Sequence, residues 1–136
     1  MKAFNLDHVA IAVDDLDASL AEFKDLLGIE PLSREAVSEQ GVEEAMLPVG
    51  GSYVQLLAPL SSSSPVGKFL AKRGQGLHHI AITVTSIDDA LDHLKARGAR
   101  LVDEEARSGG GGHRIAFVHP ATLAGTLIEL VELDGD

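Results

Sequence analysis

Four side chains combine the types and spacing that chemistry needs: His8, Gln55, His79 and Glu129. Each histidine opens an alternating, β-branched segment. One reads Leu6-Asp7-His8-Val9-Ala10-Ile11-Ala12-Val13, the other Leu77-His78-His79-Ile80-Ala81-Ile82-Thr83-Val84. Gln55 follows His8 by 47 positions and Glu129 follows His79 by 50. Glu129 stands in Leu127-Ile128-Glu129-Leu130-Val131, where a carboxylate is costly to bury without a partner. Gln55, in Val54-Gln55-Leu56-Leu57, offers the same geometry without the charge. Two imidazole nitrogens and two side-chain oxygens make an N2O2 donor set for a divalent metal. With no thiolate, the set suits a borderline or hard ion that keeps positions open for substrate and acts as a Lewis acid. Taken singly, a histidine at a strand start is ordinarily core or surface, and a lone glutamate near a C-terminus is ordinarily exposed. Their joint placement on repeated segments is what points to ligands.

The repeat also says how these residues are positioned. Setting residue 6 against residue 77 and running forward keeps Leu, His, Ala, Ile, Val, Asp17/Asp88 and Leu20/Leu91 in step without a gap. A repeat of this length is two copies of one supersecondary unit. Strand geometry puts His8, Ala10 and Ala12 on one face and Val9, Ile11 and Val13 on the other. His79, Ala81 and Thr83 share the matching face in the second copy. Asp14, Asp15 and Asp17 then favour a helix start, Leu16, Leu20, Phe23 and Leu27 fall at helical spacing, and Gly28 closes the element. The second helix runs from Ser86 as N-cap through Ile87, Leu91 and Leu94 to Gly98. Apolar runs at 31–38, 42–49 and 53–58, separated by Glu39-Gln40-Gly41 and Gly50-Gly51-Ser52, read as an antiparallel meander. Runs at 99–102, 114–119 and 126–132 repeat it. The expected fold is α+β: two tandem β-α-β-β-β modules, about 1–60 and 77–133, within one domain 1–136. A serine-rich linker, 61–76, with a short amphipathic turn at 66–73, joins them. Ser108-Gly109-Gly110-Gly111-Gly112 reads either as a tolerated surface loop or as one that closes over ligand.

Composition narrows the partners. A chain of 136 residues, 45% hydrophobic and 24% charged, can bury a real core and is not disordered. No apolar run approaches the roughly 18 residues of a membrane span. The opening Met1-Lys2-Ala3-Phe4-Asn5 enters the first strand without a leader pattern, so a cytoplasmic address is expected. Cysteine is absent, which removes disulfides and thiolate metal sites. A net charge of −10 argues against nucleic acid and requires a local basic patch for any anionic ligand.

The paired modules with His8, Gln55, His79 and Glu129 resemble the vicinal oxygen chelate (glyoxalase/bleomycin resistance/dioxygenase) superfamily. Within it, several stretches resemble the methylmalonyl-CoA epimerases. They are Leu6 to Val13, Gln40-Gly41-Val42, Gln55-Leu56-Leu57-Ala58-Pro59-Leu60, Gly76-Leu77-His78-His79-Ile80, and Phe117-Val118-His119-Pro120 with the later Leu127-Ile128-Glu129-Leu130. The likeness spans nearly the whole chain; a shared fold alone would carry little weight for activity. It implies a cupped, largely antiparallel sheet around a metal-binding cleft, and a homodimer. It also implies an acyl-CoA substrate, with neither nucleic acid nor membrane as partner. Its implied activity interconverts (R)- and (S)-methylmalonyl-CoA through a metal-stabilised enolate, with Co2+ favoured and Mn2+, Ni2+, Zn2+ or Mg2+ as alternatives. Two acid/base groups should flank the α-carbon, and the resemblance assigns Glu44 and Glu129. Glu43 and Glu44 point to opposite strand faces; the pattern leaves open which faces inward, and the family register selects Glu44.

Other readings remain in view. A glyoxalase-type lyase of the same superfamily would carry glutamate where this chain has Gln55. A ligand-sequestering protein of the same fold would lack an intact ligand set. An extradiol dioxygenase would use two histidines and one carboxylate, usually in a longer chain. Among further polar residues, His78 reads as structural or rim, His93 as solvated, and His119 as cleft or turn brace. His113 takes no role from the resemblance. Lys68, Lys72, Arg73 and Arg114 read first as solvated and second as contacts for coenzyme A phosphates.

Overall fold

The computed structural model describes residues 2–133; Met1 and positions 134–136 of the expected domain lie outside the described residues. The fold is α+β. Two compact units are distinguished, residues 8–78 and, among described positions, residues 2–7 with 79–133. Ten-residue β1 (Ala3–Ala12) contributes to both.

In the 8–78 unit, β1 is followed by α1 (Leu16–Leu27), β2 (Ser33–Val37), β3 (Val42–Val49), β4 (Ser52–Pro59) and α2 (Pro65–Arg73). Strand order is β2-β3-β4-β1, with β2-β3 and β3-β4 antiparallel and β1-β4 parallel. The acidic stretch caps α1 as its composition dictates: the Asp15 side chain accepts the Ala18 N–H, a contribution of about 1 kcal/mol. Gly28, in the left-handed region at φ 69°, ends the helix. One sheet face packs Ala45, Leu47, Leu56 and Ala58, with Val13 just beyond β1, against Leu16, Leu20 and Phe23 of α1. Arg34 ties that face together, bonding Asp17 of α1 and Glu43 of β3. The hydrogen bond that Arg34 donates to Glu43, then that to Asp17, holds the guanidinium pKa above its ordinary value. The opposite face packs Ala10, Ala12, Val42 and Leu57 against Val66, Phe69 and Leu70 of α2. The stretch 61–76 is thus built around a nine-residue helix, capped by the Ser64 hydroxyl accepting from Gly67.

The other unit repeats the scheme with β5 (Gly76–Val84), α3 (Ile87–Ala96), β6 (Arg107–Ser108), β7 (Arg114–Val118) and β8 (Ile128–Glu132). Order is β5-β8-β7-β6; β5-β8 is parallel and the other pairs antiparallel. Ser86 caps α3 through Asp89 N–H. Val84, Ile87, Ala90, Leu91, Ala116, Val118 and Leu130 form the helix-side core, and Ala81, Ile115, Phe117 and Val131 the other.

The sequence differs from the structure at 99–102. No strand forms there; Leu101 makes an isolated bridge to Val118, and the edge strand is Arg107–Ser108. The Asp103 carboxylate accepts the Phe117 N–H while Val102 and Asp103 both donate to the Phe117 carbonyl. The side chain substitutes for the strand ladder and lets the chain turn away. Beyond β6 the glycines close a single 3₁₀ turn, Gly110–Gly112. Gly109 is required sterically, because a Cβ there would stand 2.7 Å from the Ile115 side chain.

Candidate active site

The two units present the same arrangement of polar residues. In the 8–78 unit the parallel register sets Ala10 opposite Gln55, two residues after His8. In the other unit Ala81 stands opposite Glu129, two residues after His79. Side-chain alternation therefore brings each histidine to the sheet face of its paired Gln or Glu. The alanines, both fully buried, leave room beside them.

His8, Gln55, His79 and Glu129 are each only 4–6% exposed. His79 Nε2 lies 3.0 Å from Glu129 Oε1, with nearly all of both side chains out of solvent. Phe117 meets the His79 ring edge-on, centroids 5.3 Å apart and planes at 90°, and so limits ring rotation. Phe117 was not among the residues singled out from the sequence. Its signal was register: it pairs across β7-β8 with Glu129.

Glu44 is also buried, 5% exposed, and its Oε2 accepts from Gln55 Nε2 at 2.9 Å. Its face follows from its neighbour. Glu43 is drawn to Arg34 on the α1 side, so alternation turns Glu44 to the side holding Gln55. The same bond orients the glutamine. Because a carboxylate only accepts, the Gln55 amide must present its NH2 to Glu44 and turn Oε1 away. Among the described residues, Gln55 Oε1 is a buried oxygen with no hydrogen-bond partner. Leaving such a group unsatisfied costs about 1–3 kcal/mol.

These features pass a chemical test for a metal. In one unit His79 and Glu129, and in the other His8, are buried residues that each offer one possible ligand atom, an imidazole nitrogen or a carboxylate oxygen. Gln55 adds an amide oxygen that lacks any other partner. Burying two carboxylates and two imidazoles costs several kcal/mol per ionised group unless each is compensated. A chain selected for stability alone would fill these positions with aliphatic side chains.

The remaining polar residues sort by their contacts. Arg114 is held by Asp88 at 2.8 Å and by Glu132 at 3.2 Å, so its reading as a phosphate contact is corrected. His119 braces its turn, Nδ1 accepting the Ala121 N–H. His93 is half-buried on α3. His78 packs edge-on against Phe69 of α2 at 4.9 Å, and Arg73 lies over the same ring at 5.7 Å. Lys68, Lys72 and Arg73 are exposed. No helix among the described residues is long and apolar enough to cross a membrane.

Residues 7–117 match the model of the Glyoxalase/Bleomycin resistance protein/Dioxygenase superfamily. The mitochondrial methylmalonyl-CoA epimerase of Bos taurus is 39% identical over 126 residues, covering 92% of this chain and 72% of that protein. The ethylmalonyl-CoA/methylmalonyl-CoA epimerase of Cereibacter sphaeroides is 37% identical, covering 94% and 97%. Among solved structures, the Streptomyces coelicolor methylmalonyl-CoA epimerase in complex with 2-nitronate-propionyl-CoA superposes with a TM-score of 0.92. It is 41% identical and covers 96% of this chain and 95% of that one.

Proposed function

We propose that this chain, which belongs to the Glyoxalase/Bleomycin resistance protein/Dioxygenase superfamily, is an epimerase that interconverts (R)- and (S)-methylmalonyl-CoA. The observation that carries the reading is the equivalent register of Ala10 with Gln55 and Ala81 with Glu129, each pair beside a buried histidine. A relative at 41% identity is named as an epimerase bound to a propionyl-CoA analogue.

In this proposal His8, Gln55, His79 and Glu129 together hold one divalent ion. The resemblance to the epimerases favours Co2+, with Mn2+, Ni2+, Zn2+ or Mg2+ as alternatives, and a nitrogen and oxygen donor set without thiolate suits such ions. When bound, such an ion supplies Lewis-acid stabilisation of the charge that develops on the acyl oxygens as the α-proton leaves, worth several kcal/mol. Glu44 takes the α-proton on one face of the substrate and Glu129 serves the other. The burial of Glu44 and its bond from Gln55 support its role, since they keep water from the carboxylate and fix its orientation. His79 orients Glu129, and Phe117 restrains the His79 ring. The α-carbon lies between a thioester carbonyl and a carboxylate, so removing and returning one proton inverts it without redox change. A cytoplasmic address and a homodimer belong to the same proposal.

Incubating the metal-loaded protein with one pure epimer and following the other by an epimer-specific coupled reaction tests the activity. Approach to an equal mixture is expected. A single epimer persisting beside folded, metal-loaded protein would refute it.

A further inference from the structure

Charge is distributed unevenly along the chain. Positions 45–87 contain no Asp or Glu, and their charged side chains are Lys68, Lys72 and Arg73 alone. All 21 acidic residues, and the other eight of 11 basic ones, lie outside that stretch. The three cations all fall on α2 and all are exposed.

Four of the cations elsewhere are committed to carboxylates. Lys24 pairs with Glu30, Arg34 with Asp17 and Glu43, Arg107 with Asp103, and Arg114 with Asp88 and Glu132. Among the described residues, Lys68, Lys72 and Arg73 hold no ion pair. Lys68 and Lys72 stand one helical turn apart on the same face, where like charges repel. Arg73 is steadied over the Phe69 ring, itself packed by His78. The last turn of a helix favours cations, which accounts for Lys72 and Arg73 but not for Lys68. A bound polyanion would relieve the repulsion.

The helix also stands where such a ligand would be useful. Its inner side packs on Val42 and Leu57, each two residues from Glu44 or Gln55 on the same strand face, about 7 Å along the strand. The outer side carries Lys68 and Lys72, and Arg73 lies at the helix end over the Phe69 ring. A substrate with several phosphates approaches a chain of net charge −10 against a repulsive field, and a local basic patch is what redirects it.

We propose that Lys68, Lys72 and Arg73 form the binding site for the phosphates of the nucleotide end of the acyl-CoA substrate. The assignment rests on the epimerase reading for its ligand and on charge and geometry for its location. Each cation contributes charge-assisted hydrogen bonds to phosphate oxygens, Arg73 as a fork and the lysines as point charges.

Two measurements on the intact protein test it. Calorimetric titration with free coenzyme A compares wild type with the combined Lys68→Gln, Lys72→Gln, Arg73→Gln variant. At least a tenfold loss of affinity is expected, and a wild-type affinity that weakens with added salt. Turnover is then compared for methylmalonyl-CoA and methylmalonyl-pantetheine, which lacks the nucleotide phosphates. The variant should raise KM for the first about tenfold and treat the second as wild type does; circular dichroism reports the fold. Equal coenzyme A affinity in wild type and variant, or equal KM shifts for both thioesters, would overturn the proposal. If coenzyme A binding falls as expected but neither thioester is turned over by wild type, the patch stands and the epimerase reading fails.

Discussion

Replacing Glu44 by glutamine and by leucine separates two roles that meet in one side chain. Its carboxylate accepts the Gln55 Nε2–H at 2.9 Å in a buried setting. A hydrogen bond to a charged partner is worth about 1.5–3 kcal/mol, and one between neutral groups about 0.5–1.5 kcal/mol. Glu44→Leu would remove the acceptor and leave the Gln55 amide without a fixed direction. The cost of turning its Oε1 toward a metal then reappears in affinity, as roughly a ten- to hundredfold loss by the same figures. Glu44→Gln keeps an acceptor of the same size, so its metal affinity should stay within about fivefold of wild type. The carboxamide cannot take a proton, however, and epimerisation should fall by roughly 10²–10⁴-fold. Metal titration of dialysed protein gives the first quantity, and proton NMR of each epimer in deuterated buffer gives the second. Under a two-base mechanism, exchange should survive in Glu44→Gln for the epimer that presents its proton to Glu129. Normal turnover in Glu44→Gln would refute the assignment, as would equal loss of exchange for both epimers. Glu43→Gln is the control: Glu43 is held by Arg34 on the other face, and its loss should not touch the rate.

Other parts of the structure give three more expected outcomes. His79→Ala should abolish metal retention and turnover together, read by elemental analysis and the coupled assay; retention of both would remove it from the ligand set. Glu129→Gln should keep part of the metal, since Gln55 offers an amide at the equivalent register, yet lose rate; full activity when metal-replete would exclude an acid/base role. Gly67→Ala should destabilise the fold by about 1–3 kcal/mol in thermal unfolding, because its Cβ would stand 2.6 Å from the Ser61 carbonyl oxygen and 2.8 Å from that of Ser62. An unchanged midpoint would mean that the 61–64 turn yields freely.

The repeat made much of this legible in advance. Residues kept in step at positions 6 and 77 correspond to strands β1 and β5, and the helix caps at Asp15 and Ser86 were written in acidic and hydroxyl side chains before apolar spacing. What the sequence did not carry were choices made by distant partners. Glu43 and Glu44 are adjacent and alike, and only the position of Arg34, nine residues before Glu43, decides their faces. Arg114 looked available until folding brought Asp88 and Glu132 to it from α3 and β8. The run at 99–102 had the composition of a strand, but Asp103 took the Phe117 N–H with its side chain. Gln55 stood out by its place in β4, whereas the direction of its amide depended on the carboxylate facing it.

The central claim, metal-dependent proton transfer at the α-carbon of methylmalonyl-CoA, is tested most directly by deuterium exchange from solvent. The measurement compares untreated protein, chelator-stripped protein and stripped protein reloaded with Co2+. Incorporation of deuterium at the α-carbon is expected with the untreated protein, with loss on stripping and recovery on reloading. Reloaded protein that binds the thioester but leaves its α-proton unexchanged would contradict it.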